Sequence, residues 1–231
     1  MSRDGSSMIA VYVDDRLLAA KTEENSIVWW ELSTEGFELK FTGALKDDGV
    51  FGSDVLGMDL SYDVKKGVAK LSLENHINKI SENYEEFLAE DKEESEVPYL
   101  QRYKDLDPRN DDLKLTGLEL KTAIKQTRKL ISYLNRISTG GRIDTEYALG
   151  KISRFTLYSH EKVSVALRKL LKYVARTRDY EITLWRGKIQ ANTLTVVTDA
   201  SLATEFDMKS RIAGLIWLGD NLLYGFSKNQ H

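Results

Sequence analysis

Two uncharged apolar runs separated by a brief interruption open the chain. Residues 8–13 carry no charge, Asp14, Asp15 and Arg16 break the run, and residues 17–20 are apolar again. That pattern predicts a strand, a tight acidic turn and a return strand. Neither limb alternates polar with apolar positions, so both faces of this hairpin are expected to be covered by protein. Thr22 is placed to cap a helix to about Thr34, with Glu23 and Glu24 in its first turn, Ile27, Trp30 and Leu32 among its apolar positions, and Gly36 as its stop. Phe37, Leu39 and Phe41 then alternate with Glu38, Lys40 and Thr42, the signature of a half-buried strand. Residues 54–62 and 67–73 read as a second hairpin, turning at Asp63-Val64-Lys65-Lys66-Gly67. Residues 74–88 read as a helix with Ile77, Ile80, Tyr84, Phe87 and Leu88 on one stripe. His76 lies on that helix without a second ligand at suitable spacing and reads as a surface histidine.

The pattern changes after residue 88. Residues 89–117 hold both prolines, Pro98 and Pro108, amid dense charge, and read as a linker. Helical periodicity follows over 118–137, 144–158 and 161–178, punctuated by Thr139-Gly140-Gly141 and Ser159-His160. Strands are expected at 181–185, 194–199, 212–218 and 221–227. The implied class is α+β, divided into residues 1–88, a linker at 89–117, a helical segment at 118–178 and a sheet at 179–231.

With 231 residues and 42% apolar content, the chain can bury a substantial core as one domain or two small ones. It has no cysteine, which removes disulfides and thiolate zinc sites and makes an intracellular setting the expectation. No apolar run approaches bilayer-spanning length, and no membrane partner is expected. The net charge of -3 conceals a division: residues 1–116 carry 14 basic against 26 acidic side chains, and residues 117–231 carry 19 against 10. Two readings of that split stand open: the second half faces a polyanion, or it docks on the acidic half. Lys162, Arg168, Lys169, Lys172, Arg176 and Arg178 make the last helix basic, either as a track for a phosphate backbone or as a solvated face.

Two adjacent carboxylates on a hairpin covered on both sides are costly unless a cation compensates them. A hard divalent ion such as magnesium suits oxygen ligands and shares them with substrate phosphates, which makes phosphoryl transfer the leading chemistry. The competing reading is an ordinary solvated turn, since aspartates favour turns. The full string Tyr12-Val13-Asp14-Asp15 resembles the catalytic hairpin of reverse transcriptases, in the form common in copia-type (Pseudoviridae) LTR retrotransposons. Val55-Leu56-Gly57-Met58-Asp59 resembles that family's primer-grip hairpin, although an isolated strand glycine is also read as a bulge. Leu130-Ile131-Ser132-Tyr133-Leu134, Arg142-Ile143-Asp144 and Ile152-Ser153-Arg154-Phe155 fall in the order of its connection region. Thr198-Asp199-Ala200-Ser201, Ser210-Arg211-Ile212-Ala213-Gly214 and Ser227-Lys228-Asn229-Gln230 resemble the opening of its ribonuclease H domain. The resemblance is collinear from Tyr12 to Gln230.

The resemblance implies an incomplete reverse-transcriptase palm, a helical connection and a truncated ribonuclease H-like sheet. It assigns Asp14, Asp15 and Asp199 as catalytic magnesium ligands, with Leu56, Gly57 and Met58 at a primer grip. The implied partners are an RNA–DNA hybrid or template–primer, a deoxynucleoside triphosphate, and other segments of the same polyprotein. The implied location is a cytoplasmic virus-like particle, or the nucleus. Two acids of a polymerase set and one of a nuclease set are too few for two-metal chemistry, so the isolated chain is expected to be inactive. Three functions follow: a piece of a reverse transcriptase and ribonuclease H polyprotein, a non-catalytic module that binds nucleic acid or polymerase, and an inert transposon remnant.

Overall fold

The computed structural model describes residues 6–13, 15–34, 40, 42–45, 48–89, 96–98, 117–156, 160–186, 193–203 and 208–230. In chain order these form β1 (Ser7–Tyr12), β2 (Asp15–Ala20), α1 (Glu23–Thr34), β3 (Ala44–Leu45), β4 (Val50–Val55), β5 (Met58–Asp63), β6 (Val68–Ser72), α2 (Glu74–Asn83) and α3 (Glu85–Ala89). The second half forms α4 (Gly117–Thr139), α5 (Glu146–Ile152), α6 (His160–Arg176), β7 (Glu181–Trp185), β8 (Leu194–Ser201), β9 (Arg211–Leu218) and β10 (Asn221–Asn229). Of the expected strand at 37–42 only Lys40 and Thr42 are described, and neither lies in a strand; almost all of the expected linker at 89–117 lies outside the described residues.

The core is helical. On α6, Val163, Ala166, Leu167, Leu170, Leu171 and Val174 recur at spacings of three and four and are all buried. On α4 the same rule brings Ala123, Leu130, Leu134 and Ile137 inward. Ile77 and Ile80 of α2 and Ala148, Leu149 and Ile152 of α5 complete the cluster. Each large side chain so buried contributes roughly 1.5–3 kcal/mol relative to exposure, and this is the main driving force for the fold.

Five antiparallel strands in the order β3-β4-β5-β6-β7 form one sheet, and β10-β9-β8 form another. Residues 54–62 are not one strand, because the chain reverses at Leu56-Gly57 and pairs β4 with β5 from Val55↔Met58 to Val50↔Asp63. Leu56 at φ 55 and Gly57 at φ 69 make this a two-residue turn of left-handed residues, which matches strand twist. The segment 74–88 is likewise two helices, parted at Tyr84, whose ring meets Phe87 and Tyr133 edge-on at 6.2 and 6.4 Å. The segment 144–158 keeps only one α-helix, α5, between the 3-10 turns Ile143–Thr145 and Ser153–Phe155. Residues 181–185 were expected to open the C-terminal sheet. They instead form β7 and pair with β6, from Val68↔Trp185 to Ser72↔Glu181, with Lys70 Nζ 2.5 Å from Glu181 Oε1.

Three polar clusters join these parts. The buried Arg142 donates to both carboxylate oxygens of Asp144, at 3.0 and 2.7 Å, and to the carbonyl and hydroxyl of Thr177, at 2.9 and 2.6 Å. The Tyr173 hydroxyl donates to the same Asp144, at 2.9 Å. Burial, helped by this carboxylate, pushes the Tyr173 phenol up to about 12. Arg211 lies over the Tyr147 ring of α5 at 5.2 Å and donates to the carbonyl and hydroxyl of Ser227, fastening β9 and β10 to the helices. Asn221 bonds both backbone groups of Trp185, accepting from its N–H at 2.7 Å and donating to its carbonyl at 3.1 Å, and so links the two sheets. A Cβ at Gly225 would overlap the Ile143 side chain, so only glycine permits β10 to lie this close to the turn before α5.

Leu170→Ala is expected to cost about 2–5 kcal/mol, because a fully buried side chain leaves a cavity. Leu194→Ala on the exposed β8 should stay within about 0.5 kcal/mol. Urea unfolding of the two variants checks the contrast.

Candidate functional site

The acidic hairpin forms, but its turn is not the expected Asp14-Asp15-Arg16: β1 and β2 pair from Ser7↔Ala20 to Tyr12↔Asp15, so Asp15 and Arg16 lie on the return strand and the chain reverses between Tyr12 and Asp15. Asp14 lies outside the described residues. Val13 is left-handed at φ 54, an unfavourable conformation for a β-branched residue, costing on the order of 1–3 kcal/mol. Strain of this kind sits beside the acids of the motif.

The expected cover is absent from this hairpin among the described residues. Tyr12 is 65% exposed and Val13 84%, and Met8 and Val11 are also open to solvent. An uninterrupted apolar run signals burial on two faces only when a sheet or helix is available for each face. Here the sheet has only two strands, and α1 follows directly from β2. Asp15 is therefore solvated, and the burial argument for a compensating cation does not apply to it. Thr22 does cap α1, its hydroxyl accepting the Asn25 N–H at 3.3 Å.

Asp15 and the Leu56-Gly57 turn, 41 residues apart, come together. Asp15 Oδ2 accepts the Leu56 N–H at 3.2 Å, and Asp54 Oδ1 accepts the Gly57 N–H at 3.0 Å. Arg136 of α4 stands beside the turn, with its guanidinium 3.6 Å from where a Gly57 Cβ would be. Met58, the next residue, is half-buried against the helical core. The three primer-grip positions thus divide into a turn tip and a core contact, rather than a bulged strand.

His76, expected at the surface, is half-buried, and its Nε2 meets no hydrogen-bond partner among the described residues. Burial first, then the positive charges of Arg136 and Lys79, hold its pKa below the ordinary value. Sequence reasoning missed Arg136 and the burial of His76, because neither follows from the period of its own helix.

The basic helix is not a phosphate track along its length. Arg168 and Lys169 are buried, and the Arg168 guanidinium lies 4.6 Å from the centre of the Phe87 ring. Lys162 and Lys172 are half-buried, Arg176 is exposed, and Arg178 Nε is 3.8 Å from Glu74 Oε1. The reason is geometric: α6 is enclosed on so much of its circumference that residues flanking its apolar stripe are covered too. All five candidate cations from Lys162 to Arg176 also make interactions within the chain.

Asp199 sits on β8, opposite Ala213, exposed, with Oδ1 accepting the Ala200 N–H at 2.9 Å. It belongs to a different sheet from the strands that carry Asp15 and Leu56. Among the described residues no group of three or more acids or histidines could hold a metal ion. Asp14 is not among those residues, and a two-metal centre needs several convergent acids. No described helix is long and apolar enough to cross a membrane.

The chain is similar to retrotransposon polyproteins. It is 23% identical over 222 residues to the Transposon Ty1-JR2 Gag-Pol polyprotein of Saccharomyces cerevisiae, covering 95% of this chain and 12% of that polyprotein. The Ty1-ER2 polyprotein of the same yeast is 23% identical over 223 residues, and that of Ty1-BR is 22% identical over 222, with the same coverage. The chain thus spans about 12% of the length of these curated relatives. No protein-family model matches it, and no solved structure does at a significant level.

Because protonation of His76 is easier in the unfolded chain, stability should be full above pH 6.5 and decline as pH falls below that value. His76→Gln, which cannot take the charge, is expected to flatten the segment between pH 7 and 5 in a urea-unfolding profile.

Proposed function

We propose that the chain is a stretch of a copia-type retrotransposon Pol polyprotein that spans part of a reverse-transcriptase palm, a connection region and the start of a ribonuclease H domain. The observation that carries this reading is the hairpin that pairs Tyr12 with Asp15 and is joined through Asp15 to a second hairpin at Leu56. The similarity to Gag-Pol polyproteins over 95% of the chain supports it at the level of the polyprotein. In the complete polyprotein Asp14, Asp15 and Asp199 would be among the magnesium ligands. Template–primer or an RNA–DNA hybrid would lie along the Leu56-Gly57 turn, with a deoxynucleoside triphosphate at the first hairpin. A cytoplasmic particle, or the nucleus, is the setting this reading entails.

One observation favours a second reading, a module that binds nucleic acid without turnover: residues 117–231 carry 19 basic against 10 acidic side chains. Templated primer extension with magnesium separates the two. On the first reading, incorporation appears when the remaining polyprotein segments are supplied, and Asp14→Asn abolishes it. The purified chain is expected to add no nucleotide. Incorporation by the chain alone, unaffected by Asp14→Asn, would sink the catalytic assignment.

Both readings predict hybrid binding that weakens linearly with the logarithm of salt concentration. Neutralising the exposed Arg136 and Arg176 should reduce that slope by about 1 for each lost phosphate contact. A titration series between 50 and 200 mM salt, on the order used for such slopes, reads this directly.

A further inference from the structure

In a two-residue hairpin turn the strands' own pairing leaves the first turn amide without an acceptor, and here that amide belongs to Leu56. Val55 pairs with Met58 behind it. The adjacent Gly57 N–H is satisfied locally by Asp54, whereas the acceptor for Leu56 N–H arrives from a remote hairpin, as Asp15 Oδ2. Tyr12 and Val13 are exposed, two strands alone are only marginally stable, and the main neighbours of β2 beyond β1 are α1 and β4. An ionised acceptor makes a hydrogen bond roughly twice as strong as a neutral one.

We infer that Asp15 is a positioning residue, whose carboxylate clasps the β1–β2 hairpin to the β4–β5 turn through the Leu56 amide and fixes the spacing of the two hairpin tips. One carboxylate oxygen is committed to this contact. The contact uses Oδ2 alone, so Asp15 can set the position of its hairpin and still offer Oδ1 to the metal proposed above. The clasp needs only the geometry of the two hairpins. That it spaces a catalytic tip from a turn facing nucleic acid rests on the function proposed above.

Amide hydrogen exchange of the full 231-residue chain, read residue by residue by NMR, tests it. Asp15→Ala is expected to speed exchange at Leu56 about ten-fold and to move its amide proton upfield, leaving Gly57 unchanged. Asp15→Asn keeps an acceptor oxygen and should restore most of the protection. Asp54→Ala should do the converse, opening Gly57 and sparing Leu56. Cleavage within residues 7–20 in limited proteolysis should rise with Asp15→Ala and fall back with Asp15→Asn. Unchanged exchange at Leu56 in Asp15→Ala, with the Leu134 and Leu170 amides still protected, would overturn the proposal, as would failure of Asp15→Asn to rescue. If Asp15→Ala does not fold, the comparison of Asp15→Asn with the parent decides, because a genuine clasp shifts the Leu56 resonance when the acceptor loses its charge. None of these readouts involves nucleotide incorporation, so the clasp and the catalytic reading can fail separately.

Discussion

Burial of the apolar stripe of α6 is the constraint on which the remaining architecture depends. Val163, Leu167, Leu170, Leu171 and Val174 are enclosed by α2, α4 and α5, and a helix this fully covered can accept only a few arrangements of its neighbours. The sheets are then arranged around that cluster. The five-stranded sheet meets it through Met58 and Leu73, and the C-terminal sheet meets it through Arg211 and the close approach at Gly225. The same enclosure costs the chain its expected basic surface, because Arg168 and Lys169 are drawn under cover along with the stripe they flank.

Polar groups add direction to a core that has none of its own. Arg142 meets Asp144, Thr177, Tyr173 and Tyr180 at once, so the turn before α5 and the end of α6 can join in only one way without stranding a buried charge. Asn221 imitates a strand's backbone towards Trp185, and it fixes where the second sheet begins relative to the first. Both devices lie away from the candidate site. Their effect on it is indirect: they hold β6 and β7, and through them β5, in the sheet whose far turn presents Leu56 and Gly57.

The candidate site is consequently a lightly attached hairpin beside a firmly held turn. The turn is supported by strand pairing along the full length of β4 and β5 and by Arg136 at its side. The hairpin has a strained, solvent-facing Val13 beside its turn, and Asp15 on its return strand makes the amide contact to the Leu56-Gly57 turn. This distribution of stability, rigid below and compliant above, is common where a group must adjust to a ligand. The similarity to Gag-Pol polyproteins is the broadest statement about origin.

Local regularities were legible in the residues themselves. The 3.6 period of α4 and α6, the cap at Thr22, a hairpin near the start of the chain and strands over 181–185, 194–199, 212–218 and 221–227 all follow from spacing and turn chemistry, which act over a few residues, and the observed strands run only one or two residues further. What the period cannot carry is which partner an element meets. It took the folded molecule to settle that β7 joins β6, that Tyr12 and Val13 of the acidic hairpin are exposed, that Arg168, Lys169 and His76 are drawn inward, and that Asp15 reaches Leu56. Each of these is a contact between residues distant in sequence, set by the shape left over once the core has closed, and a one-dimensional pattern contains no term for that shape.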